Sequence, residues 1–552
     1  MQKVGPASGK YGKKAWMAGA LSAVMALGIG APAASAAVLP DIEAENVIIL
    51  IPDGMSMDAT TLTRWYNGGQ PLAMDEMASG LVRTYSSDAA IADSAPAGTA
   101  FATGHKSHTG YVGVLPDKNT MPGLDPIAAG NEKKPVANVL EAARLSGKAT
   151  GIIATSEIMH ATPAAFSAHY PDRSNYDALS KQQVYAGIDV VLGGGAKYFK
   201  PEGRKDGADL EAVINDMGYD LVKDPAAMQA STSDKLWGMF AETSLSYDMD
   251  RDPAKQPSLA EMTEKAIDVL DRNEEGFFLM VEGSKVDWAA HANDPMGIIS
   301  DVNAFDKAVG EALEFAKEDG NTMVIAVTDH GNGGITIGDR GTTSTYDEEP
   351  LETFTAPLLK AKLTGEGVEA KLASPRSNND IKQVMAEYYG ITDLTNKEVE
   401  AIRRADEGRL NGVIGPMISQ RAHIGWTSGG HTGGDVTLYS YAPNGQRLHG
   451  LLENTDIAKA MASALGLDLN AVTEQLFVPA EEAFTAKGAE WTVDSSNAAS
   501  PVYVVTKGEN TLRLPVFTNV AELNGNEVTL QGNVINNGVE VFVPQDAVDL
   551  LP

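Results

Sequence analysis

Short apolar runs recur along the chain, and each stops at a residue able to do chemistry. Asn46-Val47-Ile48-Ile49-Leu50-Ile51 runs into Pro52-Asp53-Gly54-Met55. Lys148 to Thr155 leads to Glu157 and then to His160 and Thr162 on the following loop. Phe277-Phe278-Leu279-Met280-Val281 ends at Glu282, and Thr322 to Thr328 ends at Asp329-His330-Gly331. Runs that are apolar throughout, without alternation, predict strands buried on both faces, as in a parallel sheet. Helical patterns separate them. Ala95 to Thr103 is Ala-rich, with Pro96 in its first turn and Gly104 past its end. Asn138 to Ser146 and Asp456 to Leu465 read as helices, and Ser300 to Lys317 repeats Val302, Phe305, Val309 and Leu313 at helical spacing. Val190-Val191-Leu192 is a further strand ending in a Gly193-Gly194-Gly195 turn, and Val436 to Tyr441 is another. The fold class is therefore α/β, a large mostly parallel sheet flanked by helices.

Two regions break this rhythm. Residues 340–425 form a long excursion with helices of its own, one opened by the capping box Thr395-x-x-Glu398. This reads as an insertion beside the site, a lid or an interface. From about Thr492 short alternating strands take over, at Val502–Val505, Leu512–Phe517, Val528–Leu530 and Val541–Val543. Asn524-Gly525 and Asn537-Gly538 supply turns between them. The expected organisation is a leader over 1–36, a catalytic α/β domain over 37–488 carrying the insertion, and a small β-rich unit over 489–552.

The leader changes the compartment. Lys3, Lys10, Lys13 and Lys14 precede the small apolar run Ala15 to Gly30, and Ala34-Ser35-Ala36 has the form a signal peptidase cuts. The run is short for a spanning helix, so the mature chain is expected to be exported without a membrane span, to a periplasm or the medium. The chain has 552 residues and no cysteine, so it folds without disulfides and any zinc must use His, Asp and Glu. The net charge of −31 disfavours nucleic acid and anionic membrane as partners. An anionic substrate would then need local positive charge, which metal ions provide.

In an open α/β sheet the strand ends converge on one edge. That edge would gather Asp53, Glu282, Asp329 and His330, with His160 and Thr162 on the loop after their strand. Asp287 and His291 share one face of a helix beginning near Ser284. His431 sits in Gly429-Gly430-His431-Thr432-Gly433-Gly434, where the glycines let the backbone come close. These ligands include no thiolate and suit two zinc ions and one oxygen-liganded magnesium. Ser94, at a helix N-terminus that favours an anion, is a candidate nucleophile. Taken one at a time, these residues read equally as N-caps, turn acids and surface histidines.

The ordered set Pro52-Asp53-Gly54-Met55, Asp93-Ser94-Ala95, His160-Ala161-Thr162-Pro163 with Arg173, Glu282-Gly283 with Asp287-x-x-x-His291, Thr328-Asp329-His330 and Gly430-His431-Thr432-Gly433 resembles the bacterial alkaline phosphatases. The resemblance implies one zinc on Asp287, His291 and His431, a second on Asp53, Asp329 and His330, and magnesium on Asp53, Thr162 and Glu282. It implies Ser94 as the group phosphorylated by phosphate monoesters, and Arg173, oriented by Asp93, as the phosphate clamp. Two positions depart from the best-known bacterial pattern: His160 stands in place of Asp, and Trp288 in place of Lys. His160 is open between binding the third metal directly, reaching it through a water and lining the site; as a nitrogen ligand it would tilt that site toward a transition metal, and Trp288 removes a positive charge from the substrate site. His423 is expected to be structural. Two rivals stay open here: a phosphodiesterase or sulfatase of the same superfamily, and an exported zinc-binding or adhesion protein without turnover. A homodimer is open as well.

Overall fold

The computed structural model describes residues 39–372 and 376–551. The leader over 1–36 lies outside them. Ten strands form the central sheet. In chain order they are β1 (Asn46–Ile51), β2 (Ala78–Arg83), β3 (Ala149–Glu157), β4 (Val190–Gly194), β5 (Asp220–Val222), β6 (Leu236–Met239), β7 (Phe277–Glu282), β8 (Thr322–Val327), β9 (Val436–Tyr441) and β10 (Gly450–Glu453). Their order across the sheet is β10-β2-β9-β8-β1-β7-β3-β4-β6-β5. All neighbours are parallel except β9, which runs antiparallel to both β2 and β8. β1, β7 and β8 are buried along their whole length, which is why their sequences are apolar at nearly every position.

Six helices bear on the site and its surroundings: α1 (Ser94–Thr103), α2 (Ala161–Ala165), α3 (Tyr176–Tyr185), α4 (Lys285–His291), α5 (Pro295–Asp319) and α6 (Gly365–Lys371). α1 ends on Gly104 in the left-handed conformation, as its sequence predicts. α5 starts earlier than its apolar repeat suggests. Asp294 caps it through Met296 N and Pro295 takes its first position.

Three local readings change. Thr162 lies inside the short helix α2, with His160 as its N-cap residue, rather than on a loop. Gly193 and Gly194 belong to β4, where they pair with Met239 and Glu157, and the close backbone explains the glycines: a methyl group on Gly194 would lie 2.1 Å from Thr243 O. His431–Thr432 is not free loop but pairs antiparallel with Gly331–Asn332.

The inserted region carries its expected helices, including Asn396–Arg404 with the Thr395–Glu398 capping box. At the C-terminal end an antiparallel five-stranded sheet spans Glu490–Asp494, Val502–Lys507, Asn510–Pro515, Val520–Leu523 and Asn526–Thr529. It packs over its own core, which includes Phe484, Val505, Leu512, Leu514 and Val543. Among the described residues no helix is long and apolar enough to cross a membrane.

Candidate metal centre and nucleophile

The four strands whose ends carry the candidate ligands are contiguous at the middle of the sheet, in the order β8-β1-β7-β3. Their parallel direction brings Asp53, Glu282, Asp329, His330 and His160 to one edge. β9 runs the other way beside β8, so its leading segment reaches that same edge and delivers His431. α4 follows β7 directly and adds Asp287 and His291 one turn apart.

Three clusters of facing donor atoms result, each within 4.8 Å: Asp287, His330 and His431; Asp53, Asp329 and His330; Asp53, His160 and Glu282. His291 joins the first, with Nε2 3.3 Å from Asp287 Oδ2 and 3.1 Å from His431 Nε2. Both of these rings use Nδ1 to donate to a backbone carbonyl, His291 to Gly429 O and His431 to Ala92 O, each at 2.8 Å. A carbonyl only accepts, so Nδ1 carries a proton in both rings, and in their neutral form the two Nε2 lone pairs face each other. Such an arrangement wants a cation between them. The carboxylates agree. Asp53 Oδ1 and Oδ2, Glu282 Oε1, Asp329 Oδ2 and Thr162 Oγ1 are buried without a hydrogen-bond partner among the described residues. Buried polar atoms are rarely left so, and this set of oxygens and imidazoles fits divalent ions.

Electrostatics points the same way. Burial, then the neighbouring Asp329, Asp287 and Glu282 carboxylates, push the Asp53 carboxyl well above its usual range. Burial lifts Glu282 to about 7. Asp287 and Asp329 are buried too, but the imidazoles beside them hold them low. Burial, reinforced by the Arg173 guanidinium, drops His160 to about 3, so its ring is neutral with a lone pair to give. Its Nδ1 is buried and unpartnered.

Ser94 opens α1, is 2% exposed, and places Oγ 3.1 Å from His330 Nε2. Asp93 occupies the N-cap position but makes no cap with its side chain. Its carboxylate instead pairs with Arg173 and accepts from Gly110 N at 3.0 Å. The helix N-terminus beside Ser94 is thus left for another anion. Arg173 Nη2 also lies 3.1 Å from His160 Nε2. The His160 and Trp288 rings meet edge to face, with centroids 5.9 Å apart. His423 stays outside the site and pairs with Asp339 at 3.0 Å.

Several supporting residues escape a reading of the sequence. Asn332 donates to Asp287 Oδ1 at 2.7 Å, Ser156 Oγ donates to Glu282 Oε2 at 3.3 Å, and His330 belongs to two clusters at once. Asn332 and Ser156 read as turn and strand residues, and only the position of Asn332 three residues after Asp329 hints at a role. Gly54, at φ +69°, allows the chain to pass Asp287: a methyl group there would lie 2.6 Å from Asp287 Oδ1.

Comparison with known proteins agrees with this geometry. Residues 44–467 match the family model described as alkaline phosphatase, and residues 465–549 match one described as a copper amine oxidase N-terminal domain. Alkaline phosphatase 4 of Bacillus subtilis is 39% identical over 444 residues, covering 77% of this chain and 89% of that protein. The crystal structure of Thermus thermophilus alkaline phosphatase superposes with a TM-score of 0.69 at 29% identity, over 77% of this chain and 92% of that one. An alkaline phosphatase from the Antarctic bacterium TAB5 was solved as a histidine-to-aspartate variant with Mg bound in its M3 site. It matches with a TM-score of 0.56 at 25% identity, over 78% of this chain and 100% of that one. With its sheet, its contiguous ligand-bearing strands and these relatives, the chain belongs to the alkaline phosphatase family of phosphate-monoester hydrolases.

Proposed function

We propose that the chain is a metal-dependent phosphomonoesterase that carries the phosphoryl group on Ser94. The observation that carries this reading is the position of Ser94 Oγ, at a helix N-terminus and 3.1 Å from the shared ligand His330. Asp287, His291 and His431 would hold one zinc ion, Asp53, Asp329 and His330 a second, and Asp53, Thr162 and Glu282 with His160 a third ion, magnesium or a transition metal. Bound there, such ions neutralise the charge that builds on the entering and leaving oxygens.

The residues of the chain do the rest. Arg173, held by Asp93, offers a bidentate fork to two phosphoryl oxygens, and the backbone N–H groups at the start of α1 take a third. Ser94 Oγ gives up its proton and bonds to phosphorus while the bond to the leaving oxygen breaks and that oxygen gains a proton. Water then attacks the phosphoseryl phosphorus from the opposite side, restoring Ser94 and releasing inorganic phosphate. Trp288 walls the pocket next to His160. Phosphoryl transfer asks for such positioning and charge neutralisation more than for covalent help.

The sulfatase reading loses support at Gly98. Gly98 stands where the sulfatase pattern S-x-P-x-R has arginine, and a methyl group there would already lie 3.2 Å from Ala165 Cβ and 3.4 Å from Thr162 Cα, so a larger side chain would have to push α2 aside. The deciding experiment is kcat/KM for p-nitrophenyl phosphate against bis-p-nitrophenyl phosphate on protein loaded with Zn2+ and Mg2+. A monoester preference of at least about a hundredfold is expected, since Arg173 and the N-terminus of α1 address oxygens that a diester has esterified. A diester preference would move the chain to the phosphodiesterase branch.

His160 sets the taste of the third site. A nitrogen donor favours a transition metal and a carboxylate favours magnesium. The TAB5 variant that holds Mg at M3 carries an aspartate in place of a histidine. His160→Asp is therefore expected to gain Mg2+ affinity by about tenfold or more, read by calorimetric titration of the chelated protein. Unchanged Mg2+ affinity would remove His160 from the ligand set. The export suggested by residues 1–36 is part of the same reading and is checked by N-terminal sequencing of the mature protein.

A further inference from the structure

α4 has two working faces. Asp287 and His291 point to the metal clusters, while Lys285 and Trp288, three residues apart, share the other side. Lys285 is 1% exposed, an unusual place for an ammonium group. Its Nζ lies 3.2 Å from Glu366 Oε2 and sits over two rings, 4.3 Å from the Tyr247 centroid and 4.6 Å from that of Trp288. Glu366 belongs to α6, inside the region inserted between β8 and β9. Buried Asp301 also feels the ammonium, which offsets part of the burial that raises it to about 8.

The inserted region is also tied to the segments around α4, at the cap of α5 and at residues 247–250. Asp294, three residues past His291, accepts from Gly365 N at 3.3 Å and from Tyr389 Oη at 2.9 Å. Asp250 accepts from Thr364 N at 2.9 Å, and Asn411 Nδ2 reaches Tyr247 Oη at 3.4 Å. Hydrogen-bonded and aromatic contacts then run without a break from the insertion to the phosphate clamp. Glu366 holds Lys285, Lys285 lies against the Trp288 ring, Trp288 meets His160 edge to face, and His160 Nε2 lies 3.1 Å from Arg173.

We propose that Lys285 and Glu366 are a positioning pair that fixes the Trp288 wall, and that through it the inserted region sets how tightly phosphate is held. The pair touches no reacting atom. Its cation–π contacts hold the Trp288 ring from behind, and Glu366 keeps the ammonium where it can do so. The proposal rests on the phosphomonoesterase reading for its meaning. Its test nevertheless uses phosphate binding, which can be measured without turnover.

The experiment is calorimetric titration of the full-length, Zn2+- and Mg2+-loaded protein with inorganic phosphate, alongside KM and kcat for p-nitrophenyl phosphate. Lys285→Met keeps the aliphatic stem and removes the charge. It is expected to weaken phosphate binding about fivefold while kcat moves less than about twofold. Glu366→Gln, at a side chain half exposed and tolerant of change, is expected to weaken it in the same direction by about threefold. The sign decides between two roles. Removing a carboxylate would tighten an anion if the pair acted by charge alone, so tighter binding in Glu366→Gln overturns the proposal. In a Trp288→Leu background Lys285→Met should add less than about twofold, because its route to the site is gone. Effects that multiply independently there, or a fall in kcat and metal content with phosphate binding unchanged, would equally overturn it. If p-nitrophenyl phosphate is not turned over at all, the phosphomonoesterase reading fails, while the binding cycle still judges the pair.

Discussion

Replacing Ser94 with alanine is expected to lower kcat for p-nitrophenyl phosphate by at least roughly a thousandfold, while metal content and fold stay as they were. Its hydroxyl lies in hydrogen-bond range of a histidine ring shared by two candidate metal clusters. Alanine at the first position of α1 removes that hydroxyl and little else, since the side-chain cap of this helix was never used. Residual activity is expected, because Arg173 and the N-terminus of α1 would still hold a monoester while water attacks directly. The decisive readout is chemical. Acid quenching of the wild-type protein with radiolabelled monoester should leave label on one serine, and Ser94→Ala should leave none. Full activity in the variant, or label that persists, would remove Ser94 from the mechanism.

Much of this site could be read in the sequence because it lies at strand ends. Four apolar runs, each leading to Asp, Glu or His, become four neighbouring strands, and the parallel direction does the gathering. The Asp287–His291 spacing and the start of α4 near Ser284 likewise come from local periodicity alone. What stayed hidden depends on distant partners. Lys285 reads as a solvated helix residue, because the glutamate that permits its burial lies far along the chain in the insertion. Asn332 reads as a turn residue until Asp287 is brought against it. The clusters also differ in detail from the expected ligand sets. His330 faces both Asp53 with Asp329 and Asp287 with His431, because its ring stacks on that of His431 at 3.6 Å. No spacing along the chain carries that information. The early start of α5 is marked in the sequence only by the Asp294-Pro295 pair, because its apolar repeat becomes regular further on, at Val302.

Asp53 carries the second large expectation, and it has two opposite signs. Its carboxylate enters two of the three clusters, so Asp53→Asn weakens two ion sites at once. With Zn2+ and Mg2+ present, kcat/KM is expected to fall at least about a hundredfold and the thermal midpoint to drop, because bound ions stabilise the folded state by an amount that grows with the logarithm of their affinity. With the ions stripped by chelator the order should reverse. Burial and the nearby Asp329, Asp287 and Glu282 carboxylates then make a charged Asp53 unfavourable, and neither of its oxygens has a hydrogen-bond partner among the described residues. Asparagine has nearly the same shape, carries no charge, and brings two N–H donors to a group of acceptors. The chelated variant should therefore be the more stable of the two by roughly 1–2 kcal/mol, only about 1–2 °C in midpoint for a chain of this size. Thermal melting of both proteins, with ions and with chelator, gives the four values needed. A variant that melts lower in both conditions would mean that Asp53 holds the fold by itself, and the case for ions at this strand edge would lose its electrostatic half. Crossing curves would mean that the chain builds this crowd of acids at a cost to its own stability and recovers that cost only when cations arrive.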